Sequence, residues 1–361
     1  MSPSSLKRVH VVGANANGYI TAILLLLQGY KVTLVAESFP GDDLSNNYAS
    51  DDTTSQWQTD TSLSQASLSL QQYDITSFNM FWKLAKSKAK EAGIRVGNSF
   101  KYYQEPTADQ SNPWWKHMVP GFQMINRQDL PNNIQLGYHY TTVMINPKKF
   151  LCWLQVQFLA MGGKQRKTKL NKLLDAVTEQ DRVQILVNCS DQLQLDSTAR
   201  DDLLEKVEQQ QWIIKASQIR KSVQVKTKEE ELYVYPRMDG TVVIGSKRRQ
   251  QHHKQANRNA RDIINKLVDY CPELTWGKGI DGLDIIDQQT TIKWIRQQGP
   301  RIENQFTVAP FGGRIAVTHN YGHDGYQSTW GSSKRAVHLV NEAYATLKKD
   351  SESVSALLAH L

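Results

Sequence analysis

The stretch from Arg8 to Ser38, RVHVVGANANGYITAILLLLQGYKVTLVAES, decides the fold. RVHVV (8–12) is a β-branched apolar run ending at Gly13, which reads as a buried strand. GYITAILLLLQGY spaces its apolar residues for a helix that stops at Gly29. KVTLVAE is a second strand ending on an acid, Glu37. Strand, glycine turn, helix and strand with a terminal acid form a βαβ unit of the dinucleotide-binding kind. The turn reads Gly13-Ala14-Asn15-Ala16-Asn17-Gly18. It keeps the outer glycines of G-x-G-x-x-G and carries asparagine at the middle one.

Outward from this unit, residues 41–72 are polar and read as a surface loop or linker. SFNMFWKLAKSKAKEAG (77–93) has helical spacing and a glycine stop. GYHYTTVMINPKKFLCWLQVQFLAMGGK (137–164) reads as a strand, a turn at Pro147, and a helix ending at Gly162-Gly163. RVQILVNCS (182–190) is a buried strand. ELYVYPRMDGTVVIGS (231–246) reads as a hairpin turning at Asp239-Gly240. NARDIINKLVDYCPEL (259–274) is an amphipathic helix, and a second hairpin, a glycine-bearing loop and a long helix close the chain. There is no internal repeat.

The 361 residues suffice for one large domain or two. No apolar run approaches the ~20 residues of a membrane span, and MSPSSLKR lacks the apolar segment of a signal peptide. Cys152, Cys189 and Cys271 are widely spaced and form no metal-ligand pattern, which fits buried thiols in a reducing compartment. The formal net charge is +8. Its lysines and arginines are dispersed, and the densest cluster, GSKRRQQHHKQANRNAR (245–261), reads as a solvated loop entering a helix. Nucleic acid is therefore not expected as a partner.

Several segments, in order, resemble the D-amino-acid oxidase family of the glutathione-reductase-like FAD fold. They are VTHNYGHDGYQSTWG (317–331), GPRIE (299–303), YVYPRMDGTVVIG (233–245), YHYTTVMINPKKFLCWL (138–154), LVNCS (186–190) and GDDLSNNYAS (41–50). The resemblance runs from about Val9 to Leu347. It implies an α/β fold with a Rossmann-type FAD-binding domain interleaved with a mixed-sheet substrate domain. The FAD-binding part would comprise residues 1–50, 148–195 and 300–361, and the substrate or cap part 51–147 and 196–299. The implied cofactor is FAD. The implied reaction is oxidative deamination of a D-amino acid to a 2-oxo acid, releasing ammonia and hydrogen peroxide. Gly13, Asn15, Gly18, Glu37, Ser50, Asp191, Gly322, Asp324, Gly325 and Tyr326 fall at its cofactor-facing positions. Tyr233 matches a substrate-binding tyrosine, and Lys293 stands at the carboxylate-binding arginine. Arg296, the second basic residue of TIKWIR, would substitute for it only through a slipped strand. No metal is expected. A homodimer is an expectation of the same kind. Ala359-His360-Leu361 follows the small-basic-leucine form of the peroxisomal address, so the import receptor is an expected partner and the peroxisome, or else the cytoplasm, the expected location.

The ligand-facing positions depart from the family pattern repeatedly. Asn15 places a side chain where a bare glycine lets the backbone approach a diphosphate. Asp51 and Asp52 stand in the segment over the flavin, Asp191 follows Asn188-Cys189-Ser190, Asp324 replaces glycine or serine, and Ser246 replaces a glycine. Aspartates at such places repel an anionic cofactor and compete for its donors. Lys293 offers a point charge in place of a bidentate fork, and the charged KTKEEE (226–231) replaces the loop carrying the family's other tyrosine. These residues predict weak FAD affinity and little oxidase activity. Two readings stay open, an active oxidase with an altered site and a non-catalytic relative that keeps the scaffold. A third, a basic surface binding an anionic partner, fits the retained framework least.

Overall fold

A computed structural model describes residues 7–42, 55–62, 67–181, 183–190, 201–249, 260–277 and 279–359. The strands begin with β1 (Arg8–Val12), β2 (Lys31–Ala36), β3 (Ser55–Gln56), β4 (Ile94–Tyr103), β5 (Gln123–Met124), β6 (Leu136–Ile145), β7 (Lys164–Lys167) and β8 (Ile185–Asn188). They continue with β9 (Leu204–Lys215), β10 (Ser222–Lys226), β11 (Glu231–Pro236), β12 (Thr241–Arg249), β13 (Asp284–Arg296), β14 (Arg301–Val308) and β15 (Arg314–Tyr321). The helices are α1 (Ala16–Leu27), α2 (Leu68–Ser87), α3 (Ala89–Ala92), α4 (Ala108–Ser111), α5 (Pro147–Ala160), α6 (Ala260–Val268) and α7 (Thr329–Ala359). The chain divides into two compact units. The first comprises Met1–Tyr48, Leu151–Leu204 and Ile295–Leu361, and the second Ala49–Phe150 and Glu205–Trp294.

The first unit is built on a six-stranded sheet in the order β14-β15-β8-β1-β2-β7. All its pairings are parallel except the β14–β15 hairpin at the edge. A parallel sheet is covered on both faces, so its strands read as continuous apolar runs. Accordingly Val9, Val11, Val12, Leu34, Val35 and Leu186 are all buried. Helix α1 is buried over most of its circumference, from Ala16 to Ile23 and at Leu25, and the connection from it to β2 is tied to α7 by Tyr30 donating to Asn341 at 2.6 Å. Gly29, in the left-handed region at φ 84°, ends the turn after α1.

The second unit is built on a mixed sheet in the order β13-β9-β12-β11-β10-β4-β6-β3, with β5 paired to β6. Alternation along its strands separates two faces. One face presents Trp212, Ile214, Val223, Val225, Leu232, Val234, Val242 and Ile244, which pack with Ile263, Ile264 and Leu267 of α6. The opposite face carries Gln209, Gln211, Ser222, Gln224 and Lys101, buried although polar. Such burial is tolerated only where partners replace water, and this face is laced by side-chain hydrogen bonds. Gln56 donates to Ser99 and Gln224 and accepts from Ser222, and Lys101 donates to Asp60 at 2.9 Å.

One boundary differs from expectation. Helix α2 begins at Leu68, inside the stretch expected to be a loop, because its polar residues occupy an exposed face. Its buried positions Asp74, Ser77, Phe78, Phe81 and Leu84 keep helical spacing. His319 and Tyr321 lie in strand β15, and the turn that follows starts at Gly322.

Candidate functional site

The dinucleotide corner of the first unit is assembled from the end of β1, the start of α1 and the end of β8. Gly13 has φ 108°, and a Cβ there would sit 2.8 Å from the Cys189 carbonyl oxygen. A Cβ on Gly18 would meet the Gly13 carbonyl at 1.9 Å. Both outer glycines are therefore demanded by the packing of turn, helix and neighbouring strand.

Asn15 is the residue that changes the corner. It is the N-cap of α1, in extended conformation at φ −84° and ψ −178°. The side chain does two jobs. Its Oδ1 accepts from the Gly18 amide at 2.9 Å, and its Nδ2 donates to the Cys189 carbonyl at 2.6 Å. It bridges the helix N-terminus to the end of β8 and fills one of the helix's unpaired donors, as a capping side chain does. Asn17, on the same turn, is buried, and its Oδ1 has no hydrogen-bond partner among the described residues. A dinucleotide diphosphate at this place needs bare N–H donors. The corner instead presents two amide oxygens and one donor already used. The strand–turn–helix frame fits such a group; the side chains at its phosphate end do not.

Glu37 follows β2, where a ribose-binding acid would stand, and forms an exposed ion pair with Lys169 at 3.5 Å. A pair this exposed contributes little and does not lock the carboxylate away. Ser50, Asp51, Asp52 and Asp191 lie outside the described residues. Gly322 has φ 80°, and a Cβ on it would stand 2.9 Å from the Arg296 Cβ. Gly325 has φ 81°. Tyr326 is partly buried, and its carbonyl accepts from the Thr329 hydroxyl at 2.9 Å at the start of α7. Asp324 is exposed and precedes the first turn of α7, outside the span over which a helix terminus acts strongly on a charge.

Arg296 does not replace the expected arginine. Its Nε donates to Asp201 Oδ2 at 2.9 Å and its Nη1 to the Gly299 carbonyl at 3.2 Å. Tyr321 donates to the same Asp201 oxygen at 3.1 Å, and Arg301 donates to the Tyr321 hydroxyl. Burial opposes ionisation of Asp201, but hydrogen bonding and charge from Arg296 outweigh it and hold the carboxyl below its ordinary value. The guanidinium is thus a structural tie of the first unit. Lys293 belongs to the second unit. The two are separated by an odd number of positions along β13, so they face opposite sides of the strand.

Tyr233 lies on the buried polar face of the second unit's sheet. Its hydroxyl accepts from Gln209 at 2.8 Å, and its ring stacks on Tyr235 at 4.9 Å. Burial raises its pKa, so the phenol stays protonated. Gly245 makes room for it, since a Cβ there would lie 2.5 Å from the hydroxyl oxygen. Segment 226–231 forms the turn between β10 and β11. Within it Glu230 is buried and ion-paired with Lys266 at 2.8 Å and Arg248 at 3.3 Å.

Sequence reasoning missed several residues that organise these places. His323, inside the glycine loop, donates through Nε2 to Asn320 at 2.9 Å and accepts from Ser328 at 3.1 Å. Loss of hydration pushes its pKa down to about 3, so it is neutral. Asp201, Gln209 and Gln211 carry no motif, and only the tertiary pairing reveals them. Among the described residues no group of His, Cys, Asp or Glu is placed to hold a metal. Among the described residues no helix is long and apolar enough to cross a membrane. Cys152, Cys189 and Cys271 form no disulfide.

Residues 8–339 match the family described as DAO, FAD-dependent oxidoreductase. The chain is 26% identical over 342 residues to a D-amino-acid oxidase of Schizosaccharomyces pombe, covering 91% of this chain and 95% of the relative. It is 25% identical over 361 residues to a D-amino-acid oxidase of Fusarium vanettenii, covering 92% and 96%. A D-aspartate oxidase of Talaromyces thermophilus is 22% identical over 277 residues, covering 74% and 72%. Among solved structures, glycine oxidase from Geobacillus kaustophilus superposes with a TM-score of 0.67 at 12% identity, covering 93% and 95%. L-amino acid deaminase from Proteus vulgaris gives 0.66 at 12%, covering 95% of each chain. These structures share the mixed α/β fold. With a match over most of its length, this chain belongs to the DAO family of FAD-dependent oxidoreductases.

Proposed function

We propose that this chain is a D-amino-acid-oxidase-fold protein that recognises a small amino acid, holds FAD weakly and oxidises its ligand little or not at all. The observation that carries this reading is Asn15, whose side chain caps α1 and bridges to Cys189 where a cofactor diphosphate would need open donors. Committing Arg296 to Asp201 adds to it, because that guanidinium is spent on the fold and does not take the place of the expected carboxylate-binding arginine. When bound, FAD would supply the hydride acceptor for oxidation at an amino acid's α-carbon. The second reading is the full reaction, oxidative deamination of a D-amino acid to a 2-oxo acid with release of ammonia and hydrogen peroxide. Retention of the buried, protonated Tyr233 favours it, and the D-amino-acid oxidases among its relatives support the substrate class.

A visible spectrum of the purified protein, before and after adding FAD, separates the two. Flavin absorbance at near-equal stoichiometry after gel filtration would end the weak-binding reading. Peroxide release with D-alanine would then establish the oxidase, and its absence with a panel of D-amino acids would remove it.

A further inference from the structure

One buried sheet face in the second unit holds unused hydrogen-bonding capacity beside Tyr233. Strand register places Gln211, Gly245, Tyr233, Gln224 and Lys101 in a single row across β9, β12, β11, β10 and β4. Residues directly opposite one another share a face, so all five lie on the same side. Gln211 is fully buried. Its Nε2 donates to Gln289 Oε1 at 3.0 Å, and its Oε1 has no partner among the described residues. Tyr233 accepts from Gln209, and among the described residues its own hydroxyl hydrogen has no acceptor. Gly245 stands between the two, and the Tyr233 hydroxyl leans back over it, 2.5 Å from where a Cβ would be. The hydroxyl is thereby drawn toward β9, the strand that carries Gln211. Neighbouring groups are occupied. Gln224 donates to Glu231 and to Tyr235, and Ser222 donates to Gln56.

The face therefore offers one spare acceptor on β9 and one spare donor reaching from β11 over Gly245 toward it, both out of water. A ligand carrying an N–H donor beside an anionic acceptor satisfies both, and an amino acid zwitterion is the smallest such group. We propose that Gln211 is a ligand-contacting specificity residue whose Oε1 accepts from the α-ammonium of an amino acid, while the Tyr233 O–H donates to its carboxylate. This rests on the amino-acid half of the proposed function and is independent of whether flavin is held. Gln211 thus decides for an amine over a bare acid, because a buried acceptor facing an unaminated ligand stays unsatisfied.

The test is calorimetric titration of the full-length protein, without added flavin, with D-alanine and with propionate, the same skeleton lacking the amine. Gln211→Leu should weaken D-alanine about 10- to 100-fold, the range for a lost hydrogen bond to a charged group, and leave propionate within about twofold. Tyr233→Phe should weaken both ligands. Gln211→Glu, which keeps an acceptor and adds charge, should restore D-alanine binding and reduce propionate binding; it carries the test if the leucine variant does not fold. Equal losses for both ligands in Gln211→Leu, or no loss for either, overturn the assignment. So does a wild-type protein that binds neither. A flavin found in the purified protein would sink the weak-FAD reading alone and leave the Gln211 comparison standing.

Discussion

Replacing Asn15 with glycine should move two measurable quantities in opposite directions. The side chain makes a capping bond to the Gly18 amide at 2.9 Å and a bridging bond to the Cys189 carbonyl at 2.6 Å. Exchanging an asparagine cap for glycine costs only a few tenths of a kcal/mol. Losing the bridge costs about 1 kcal/mol, the net worth of a neutral hydrogen bond. Fold stability should therefore fall by about 1–1.5 kcal/mol, read as a drop of a few degrees in melting temperature. FAD affinity should rise. A freed N–H facing a phosphate is worth ~1.5–3 kcal/mol as a charge-assisted bond, partly overlapping the ~0.3–1 kcal/mol of favourable helix-terminus field. Together about 2–3 kcal/mol corresponds to a 30- to 150-fold lower Kd. Titration of flavin fluorescence measures it directly. Asn15→Asp provides the control, since it keeps an acceptor on Gly18 but loses the donor to the Cys189 carbonyl and adds a negative charge, so stability and FAD affinity should both fall. If Asn15→Gly lowers the melting temperature but leaves FAD affinity within twofold, the diphosphate does not sit at this turn and the reasoning fails.

Gly13→Ala should be among the most damaging single changes in the first unit, because it forces a side chain to φ 108° and to within 2.8 Å of the Cys189 carbonyl; loss of soluble, cooperatively melting protein is the expected readout. Arg296→Met should cost about 3–5 kcal/mol by stranding the buried Asp201 carboxylate, and pairing it with Asp201→Asn should recover much of that loss in thermal melts, an additive result speaking against the tie. Burial raises the Asp74 carboxyl to about 6, tempered by hydrogen bonds from Thr59 and Thr61. The folded state then binds the proton more tightly than the unfolded state, so stability is greatest below the ordinary carboxylate range and falls as pH rises towards about 6, by ~3 kcal/mol in all. Asp74→Asn should flatten the melting temperature across that window, and an unchanged pH slope would place the titration elsewhere.

The lineage and most of the framework are legible in the amino-acid order alone. The β1–α1–β2 unit, the Pro147 helix start and both hairpins follow from local rules, because alternation, helical spacing and the glycine and proline positions act over a few residues. It also showed that Asn15 was the residue to question. Only the tertiary structure decided what Asn15 does, since its second partner, the Cys189 carbonyl, comes from a distant part of the chain. The same holds for Arg296, whose charge in TIKWIR suggests a ligand site until Asp201 and Tyr321 are brought against it. Gln211 is an unremarkable glutamine in a polar run until strand register sets it in one row with Gly245 and Tyr233. Local propensity is written in neighbouring residues. Whether a polar side chain is spent on the fold or left over for a ligand depends on partners that only the folded chain brings together.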